Sequence, residues 1–331
     1  MRSITPRFAV AAMFVASCIG TAVAQTPDAS TPNWPNRPIR LISPFPPGGT
    51  TDQLARLVQP ALSQALGVPV VVENRSGGNG SIGTGIAAKS PPDGNTYVVV
   101  FDTHGTNPSL IPSMGFDTRA DLAPVMLIAT GAMVIAVHKS QPQKNFSDLV
   151  KSARAVTSGL PYGTIGSGSL AQLAMTSLAA QVGFSMTHVP YKGGGPLAAD
   201  AVAGHVPVAM ATTALLSAHI KSGVLVPLAV TSSQRDPVLP DVPTLVEQGV
   251  KEFEALAWWG VFAPAGTPAP IIARVNRELN AALSDAAVRA RLTGQGMNLR
   301  LSQPAELGTF VDVQIERWAK VIKEFGIRAG D

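Results

Sequence analysis

The sequence is poor in cysteine, in charge and in aromatic side chains. Only one of its 331 residues is a cysteine, Cys18, which excludes an internal disulfide and a cysteine-rich metal site. Charged residues make up 14% and aromatic residues 5%, whereas 46% of the residues are apolar. A chain with this balance can bury a large core, so it is predicted to fold rather than to be disordered.

Basic residues never form a run along the chain. There are 25 Lys and Arg residues against 21 Asp and Glu residues, and two of the basic ones, Arg2 and Arg7, lie at the very start. Nucleic-acid binding needs clustered Lys and Arg to neutralise phosphates. We therefore expect no nucleic-acid partner.

The first 24 residues have the three parts of a secretory signal peptide. A short basic start is followed by an uncharged apolar stretch, residues 8–19, and then by the small-residue sequence Ala-Val-Ala at 22–24. The apolar stretch is shorter than the roughly 20 residues that span a bilayer. This pattern predicts a signal peptide over 1–24, cleavage before Gln25, and a loose leader over 25–36. Residues 15–18 also resemble a lipobox, so a lipid anchor on Cys18 is the alternative.

Strand and helix signals alternate through the body of the chain. Residues 39–45 and 97–101 have the pattern of buried strands, and residues 51–66 repeat apolar side chains at helical spacing. Alternation of this kind is typical of an α/β protein with parallel sheets covered by helices. About 300 residues remain after the signal peptide, which is usually enough for two domains.

The loop at residues 44–52, PFPPGGTTD, joins the first strand to the first helix. Prolines stiffen it, and glycines remove side chains where it bends. The start of a helix presents free N–H groups and the positive end of its dipole, which together form a ready anion site. A plain tight turn capped by a threonine is the alternative. The candidate ligand-binding residues of this loop are Phe45, Pro47, Gly48, Gly49, Thr50 and Asp52.

A second loop, TIGSGS at residues 164–169, repeats this arrangement at the end of another strand. Its candidate residues are Thr164, Gly166, Ser167, Gly168 and Ser169. Further polar residues follow other predicted strands, in segments expected to be loops, namely His104, Thr106, Asn107, Tyr191 and Thr212. The carboxyl ends of parallel strands are where α/β proteins bind ligands. Two such corners predict a cleft with one anion-binding side on each domain.

Five segments in register carry a family resemblance. They are PIRLISPFPPGGTTDQLAR, VVVENRSGGNGSIGTGIAAKSPPDGNTY, HVPYKGGGP, LAVTSSQRDPVLPDVPTLVEQG and FAPAGTP. From about Pro38 to the C-terminus, the sequence resembles the Bug (TctC-like) family of tripartite tricarboxylate transporter receptors. The resemblance implies a monomeric periplasmic receptor and not an enzyme, without cofactor or metal, that passes a small carboxylate to a membrane permease of the tripartite type. It also implies a type II-like, two-domain periplasmic-binding-protein fold with the ligand in the cleft between the domains.

Two domains and a hinge are expected. Domain 1 should contain residues 37–135 and 260–331, and domain 2 residues 136–259, with crossings near 134–137 and 258–261. Two positions depart from the family pattern, because Ile165 replaces a serine and Ala211 stands where Asp or Asn is common. These changes favour an aromatic acid or a di- or tricarboxylate over an amino acid.

Two enzyme interpretations compete with the receptor. Gly78, Gly80 and Gly83 fit the G-x-G-x-x-G motif of NAD-binding oxidoreductases, and Asp102 ends the next strand, where a ribose-binding acid belongs. An exported chain, however, leaves the cytoplasmic NAD pool. A hydrolase would need a nucleophile elbow, and no G-x-S-x-G surrounds Ser167. A Ser–His–acid triad assembled in space stays open at this point.

Overall fold

The computed structural model describes Met1 and residues 33–328. The predicted cleavage site, Cys18 and most of the predicted leader lie outside the described residues.

The described residues contain ten strands and ten α-helices. The strands are β1 Ile39–Ser43, β2 Val70–Asn74, β3 Thr96–Phe101, β4 Leu122–His138, β5 Leu160–Thr164, β6 Met186–Pro190, β7 Val208–Thr212, β8 Leu225–Val230, β9 Leu256–Pro264 and β10 Met297–Leu299. The helices are α1 Thr50–Leu66, α2 Ser81–Ala88, α3 Thr103–Leu110, α4 Phe146–Ala155, α5 Leu170–Val182, α6 Gly194–Ala203, α7 Thr213–Lys221, α8 Ala269–Ser284, α9 Ala286–Thr293 and α10 Pro304–Phe325.

Helix α1 shows how the local sequence sets an element. Leu54, Val58 and Leu62 are buried at helical spacing and belong to the main core. Pro60 lies on the exposed face, and Gly67 ends the helix in the left-handed conformation with φ of 72°. The periodicity of apolar residues therefore directs one face of α1 onto the sheet.

The strands form one continuous mixed sheet in the order β2-β1-β3-β9-β4-β7-β5-β6, with β8 and β10 also paired to β4. At one end β1 runs parallel to β2 and β3, and at the other end β5 runs parallel to β6 and β7. Strands β4 and β9 run antiparallel to their neighbours in the middle. The expectation of parallel sheets alone was therefore wrong, because the two central strands run in opposite directions.

Strand β4 is 17 residues long and belongs to both ends of the sheet. Residues 122–132 pair with β9, and residues 129–131 also pair with β10; residues 133–138 pair with β7 and β8. We call the part built on β1, β2, β3, β9 and β10 the first lobe, and the part built on β5 to β8 the second lobe. The change of partner between Ala132 and Met133 separates the lobes along one strand.

Both tryptophans of the predicted crossing, Trp258 and Trp259, are fully buried in β9. The mainly polar segment at 104–107, predicted as a loop, is instead part of helix α3. No helix in the described part of the chain has the length and apolar character needed to cross a bilayer.

Candidate functional site

A narrow inner pocket of about 30 Å³ lies between the two lobes. The first lobe contributes the start of α1, from Gly49 to Thr51, together with Phe45 and the end of β3. The second lobe contributes the loop after β5, the first turn of α5, the end of β7, the first residue of α6 and Leu215 of α7. The side chains are mostly apolar: Phe45, Phe101, Met133, Ile165, Ala171, Ala211 and Leu215. Both helix starts predicted from the sequence therefore border one shared hollow.

A wider outer pocket of about 610 Å³ adjoins the inner one, and Phe45 and Ile165 line both. Its walls are more polar. The segment 76–80 and Asn107 line it from the first lobe, and Ser167, Tyr191 and Lys192 line it from the second. Lys192, an exposed residue, is the one cation among the lining residues described for either pocket.

The start of α1 has no side-chain cap, because its N-cap is Gly49. The preceding loop is held by Asp52, whose carboxylate accepts from the Gly48 N–H at 3.0 Å and from Arg56 Nε and Asn74 Nδ2 at 2.9 Å each. The Thr50 hydroxyl accepts from Trp259 Nε1 at 2.9 Å. These bonds fix the loop and leave the uncapped first turn of the helix at the wall of the inner pocket.

The loop at 164–169 is supported by its own hydroxyl groups. Ser169 caps α5 by accepting from the Gln172 N–H, and its hydroxyl donates to Thr164 Oγ1 at 3.1 Å. Thr164 is fully buried and also bonds to His188 Nε2 at 2.7 Å. The two residues therefore shape the loop from behind rather than face either pocket.

Asp102 lies beside the start of α5, where free backbone N–H groups were expected. It follows β3 in the first lobe, yet its carboxyl group lies near the backbone N–H of Leu170, the first residue of α5 in the second lobe. Asp102 is only 3% exposed and lines the inner pocket. From its sequence context, Asp102 fitted only the NAD alternative, because its position beside α5 depends on the approach of the two lobes.

The lobes touch around the pockets through small residues and backbone atoms. Thr106 of α3 donates its hydroxyl to the Gly168 carbonyl of the second lobe at 2.8 Å. A Cβ at Gly193 would lie 2.9 Å from Pro46 Cδ, and a Cβ at Gly195 would lie 3.0 Å from the Pro47 carbonyl oxygen. Glycines at the start of α6 thus allow the loop before α1 to rest against the second lobe.

The structure brings half of the predicted site residues to the pocket walls. Those at the inner or outer pocket are Phe45, Gly49, Thr50, Asn107, Gly166, Ser167, Tyr191 and Thr212. Those that line neither pocket are Pro47, Gly48, Asp52, His104, Thr106, Thr164, Gly168 and Ser169. Most of the second group support the loops or join the lobes, roles that only their hydrogen bonds and contacts reveal.

His104 is a core residue despite its place in a polar segment. It is 4% exposed, its ring lies 4.8 Å from that of Phe262, and Nε2 has no partner among the described residues. Burial lowers the pKa of His104 to about 3, so the ring stays neutral in the folded protein.

Acid should destabilise the protein through His104. Its pKa is lower in the folded protein than in the unfolded chain, so this stability contribution is complete above about pH 6.5 and declines as the pH falls toward 3. A His104→Leu variant is expected to gain roughly 2–3 kcal/mol relative to the wild type when the pH falls from 7.5 to 4.5. Urea unfolding of both proteins at the two pH values measures this change, and a constant difference would contradict it.

The glycines of the G-x-G-x-x-G segment each have a structural reason. Gly78 and Gly80 have φ of 55° and 88°, in a tight turn beside the outer pocket. A Cβ at Gly83 would lie 2.5 Å from the Arg75 carbonyl oxygen and 2.8 Å from Pro44 Cα. The motif therefore packs a short helix, α2, against the loop that leads to α1.

Comparison with known proteins agrees with this geometry. Residues 54–327 match the family model described as tripartite tricarboxylate transporter family receptor. Protein BugT of Bordetella pertussis is 35% identical over 98% of this chain and 99% of its own length.

Two solved structures are similar over most of the chain. An R. palustris protein solved with adipate has a TM-score of 0.85 at 35% identity, covering 89% of this chain and 99% of its own. MatC of Rhodopseudomonas palustris, with bound malate, has a TM-score of 0.83 at 32% identity, covering 87% and 100%. The predicted periplasmic-binding-protein fold and the family resemblance are therefore confirmed. This chain belongs to the tripartite tricarboxylate transporter receptor family.

Proposed function

We propose that the protein captures a small carboxylate in the inner pocket and closes its two lobes over it before delivery to a tripartite permease. The observation that carries this proposal is the uncapped start of α1 at the wall of a pocket shared by both lobes. The complexes of the two R. palustris proteins with adipate and malate support the same ligand class.

The ligand carboxylate lies against the first turn of α1. Free N–H groups and the helix dipole favour negative charge there, and Thr50, Thr51 and Thr212 add hydroxyl groups to the wall. No Lys, Arg or His is among the residues described as lining the inner pocket. Binding therefore depends on directed N–H and O–H donors rather than on a cationic side chain.

The body of the ligand is apolar, and its other end is polar. Phe45 and Ile165 join the two pockets and suit an aliphatic or aromatic body. Asn79, Ser167 and Lys192 in the outer pocket suit a second carboxylate. This arrangement favours a dicarboxylate over an aromatic monoacid. The affinities of the protein for acids of both classes distinguish these two ligand types.

Closure of the lobes supplies part of the binding free energy. Four charge-assisted hydrogen bonds contribute roughly 1.5–3 kcal/mol each, against an association cost of roughly 4–15 kcal/mol. Micromolar affinity needs about 8 kcal/mol net. Contacts from one lobe reach this value only at the favourable end of both ranges, so apolar contact and water exclusion by the second lobe are expected to add to them.

The hinge lies in the strands that cross between the lobes. The domains proposed from the sequence are 37–135 with 260–331, and 136–259. The pairing of β4 supports a crossing at Ala132–Met133, a little before residue 136. The return crossing between β8 and β9 precedes Leu256, where pairing with the first lobe begins. Delivery then requires these segments to bend while each lobe keeps its own strands.

Isothermal titration calorimetry tests the proposed function. Adipate, malate, citrate and benzoate are titrated into the purified protein, with adipamide as the matched uncharged control. We expect micromolar binding of at least one carboxylate, a change in tryptophan fluorescence as the lobes close, and no detectable binding of adipamide. A folded protein that binds none of the acids, or binds adipamide as tightly as adipate, would overturn the proposal.

A further inference from the structure

Asp102 is a buried acid whose hydrogen bonding is incomplete. It lines the inner pocket at 3% exposure, and the backbone N–H groups of Leu170 and Thr103 lie near its carboxyl group. Its Oδ1 atom has no hydrogen-bond partner among the described residues. A buried polar atom left without a partner costs free energy, so a group inside the pocket is expected to complete this bond.

No counter-charge compensates Asp102 within the described residues around the pocket. Helix α5 and strand β9, which flank it, contain no titratable side chain. None of the titratable or charged groups on the other surrounding elements lines the inner pocket. These groups are Asp52 and Arg56 on α1, Tyr97 on β3, His104 on α3, His138 on β4, Asp200 on α6, and His219 and Lys221 on α7. The charged residues of α10, which packs on α3 and α5, are exposed.

The surroundings therefore favour the neutral acid. Burial raises the pKa of Asp102 well above its usual range, and the two backbone N–H groups oppose this shift only in part. Since Oδ1 is buried and accepts no hydrogen bond from the described residues, we place the acid proton on this atom. In that form Oδ1 is a hydrogen-bond donor in need of an acceptor.

We propose that Asp102 is a specificity-determining residue that keeps its proton and donates it, as a hydrogen bond from Oδ1, to the carboxylate bound in the inner pocket. This inference rests on the proposed function. Ionised Asp102 would place two negative charges in one dry site, so the affinity falls as the pH rises. Above the pKa of Asp102 in the free protein, each pH unit is expected to weaken binding by up to about tenfold, as for one linked proton.

Titrations with adipate between pH 5.5 and 9 test the inference. The wild type should bind adipate more weakly as the pH rises. Titrations in two buffers of different ionisation enthalpy should show that binding takes up a proton near pH 9. Asp102→Asn keeps an N–H donor and should bind adipate without this pH dependence. Asp102→Leu, which offers no donor, should bind at least tenfold more weakly at pH 5.5. Asp241→Asn makes the same chemical change at an exposed position and should keep the wild-type profile.

The outcomes separate this inference from the proposed function. Adipate binding by the wild type that shows no pH dependence and no proton uptake overturns the role of Asp102 and leaves the receptor function standing. If Asp102→Asn shows the same pH dependence of adipate affinity as the wild type, the role of Asp102 is likewise overturned. Tighter binding of 6-aminohexanoate than of adipate would also overturn it, because Asp102 would then act as an ionised partner for an ammonium group. Proton counting on the wild type needs no variant to fold.

Discussion

A Gly195→Leu variant is expected to bind carboxylates roughly 10- to 100-fold more weakly than the wild type while keeping its fold. Gly195 lies in the first turn of α6, where even a Cβ would be 3.0 Å from the Pro47 carbonyl oxygen across the cleft. A leucine there meets backbone that cannot rotate away, and overpacking of this kind costs about 1–3 kcal/mol. When the lobes separate, the same side chain extends into solvent and the strain disappears. The penalty therefore falls on the closed, ligand-bound form.

Calorimetry with adipate measures the loss of affinity, and thermal unfolding without ligand checks the fold. Ala199→Leu is the matched control, because Ala199 is an exposed residue of the same helix. It should leave both the affinity and the melting temperature near the wild-type values. Unchanged affinity in Gly195→Leu would show that binding does not require the contact between α6 and the loop before α1.

Replacing Gly83 by alanine is expected to lower the free energy of unfolding by about 3 kcal/mol, the upper end for an overpacked site. The added Cβ would lie 2.5 Å from the Arg75 carbonyl oxygen and 2.8 Å from Pro44 Cα, so two backbone segments would have to move. Pro44 begins the loop that carries Phe45 and Gly49 to the inner pocket. The variant should therefore also bind adipate more weakly in the fraction that remains folded.

Gly308→Ala is the control for this change. Gly308 is likewise inside a helix, α10, but a Cβ there meets only Pro124 Cγ at 3.6 Å, an ordinary contact. Alanine at such a position is expected to stabilise the protein by roughly 0.4–1 kcal/mol. Urea unfolding of the three proteins gives both values. If Gly83→Ala proved as stable as Gly308→Ala, the close approach of α2 to the loop would not be a real constraint.

Local patterns predicted the periodic elements well. The helix predicted over 51–66 is α1, which begins one residue earlier, and the strand predicted over 97–101 is β3, which also begins one residue earlier. Such elements follow from side-chain spacing and from glycines that stop a helix, both of which are visible in a short window. Helix α3 was missed because its sequence, THGTNPSL, contains Gly, Asn and Pro and has little helix propensity of its own. Packing against α10 stabilises α3 instead.

The site was only partly predictable for a related reason. The loop after β1 was found because prolines, glycines and a following helix start are all local features. The segment 76–80 of the outer pocket was noticed for its family resemblance and its nucleotide motif but not as part of the site, since its position opposite Gly166 depends on how the lobes meet. His104 was misplaced because its polar neighbours suggested a loop, whereas α3 turns its ring toward Phe262.

By itself, the sequence determined the α/β class and the family, and it predicted an anion site at the first helix start. These follow from residue spacing, from motifs in register and from backbone N–H groups that every helix start exposes. The tertiary structure alone decided that an acid of the first lobe, Asp102, lies beside the start of α5 in the second lobe. It also decided that glycines of α6 rest on the loop before α1. Contacts of this kind join residues far apart in the chain, and their energies depend on burial and distance, which no local pattern contains.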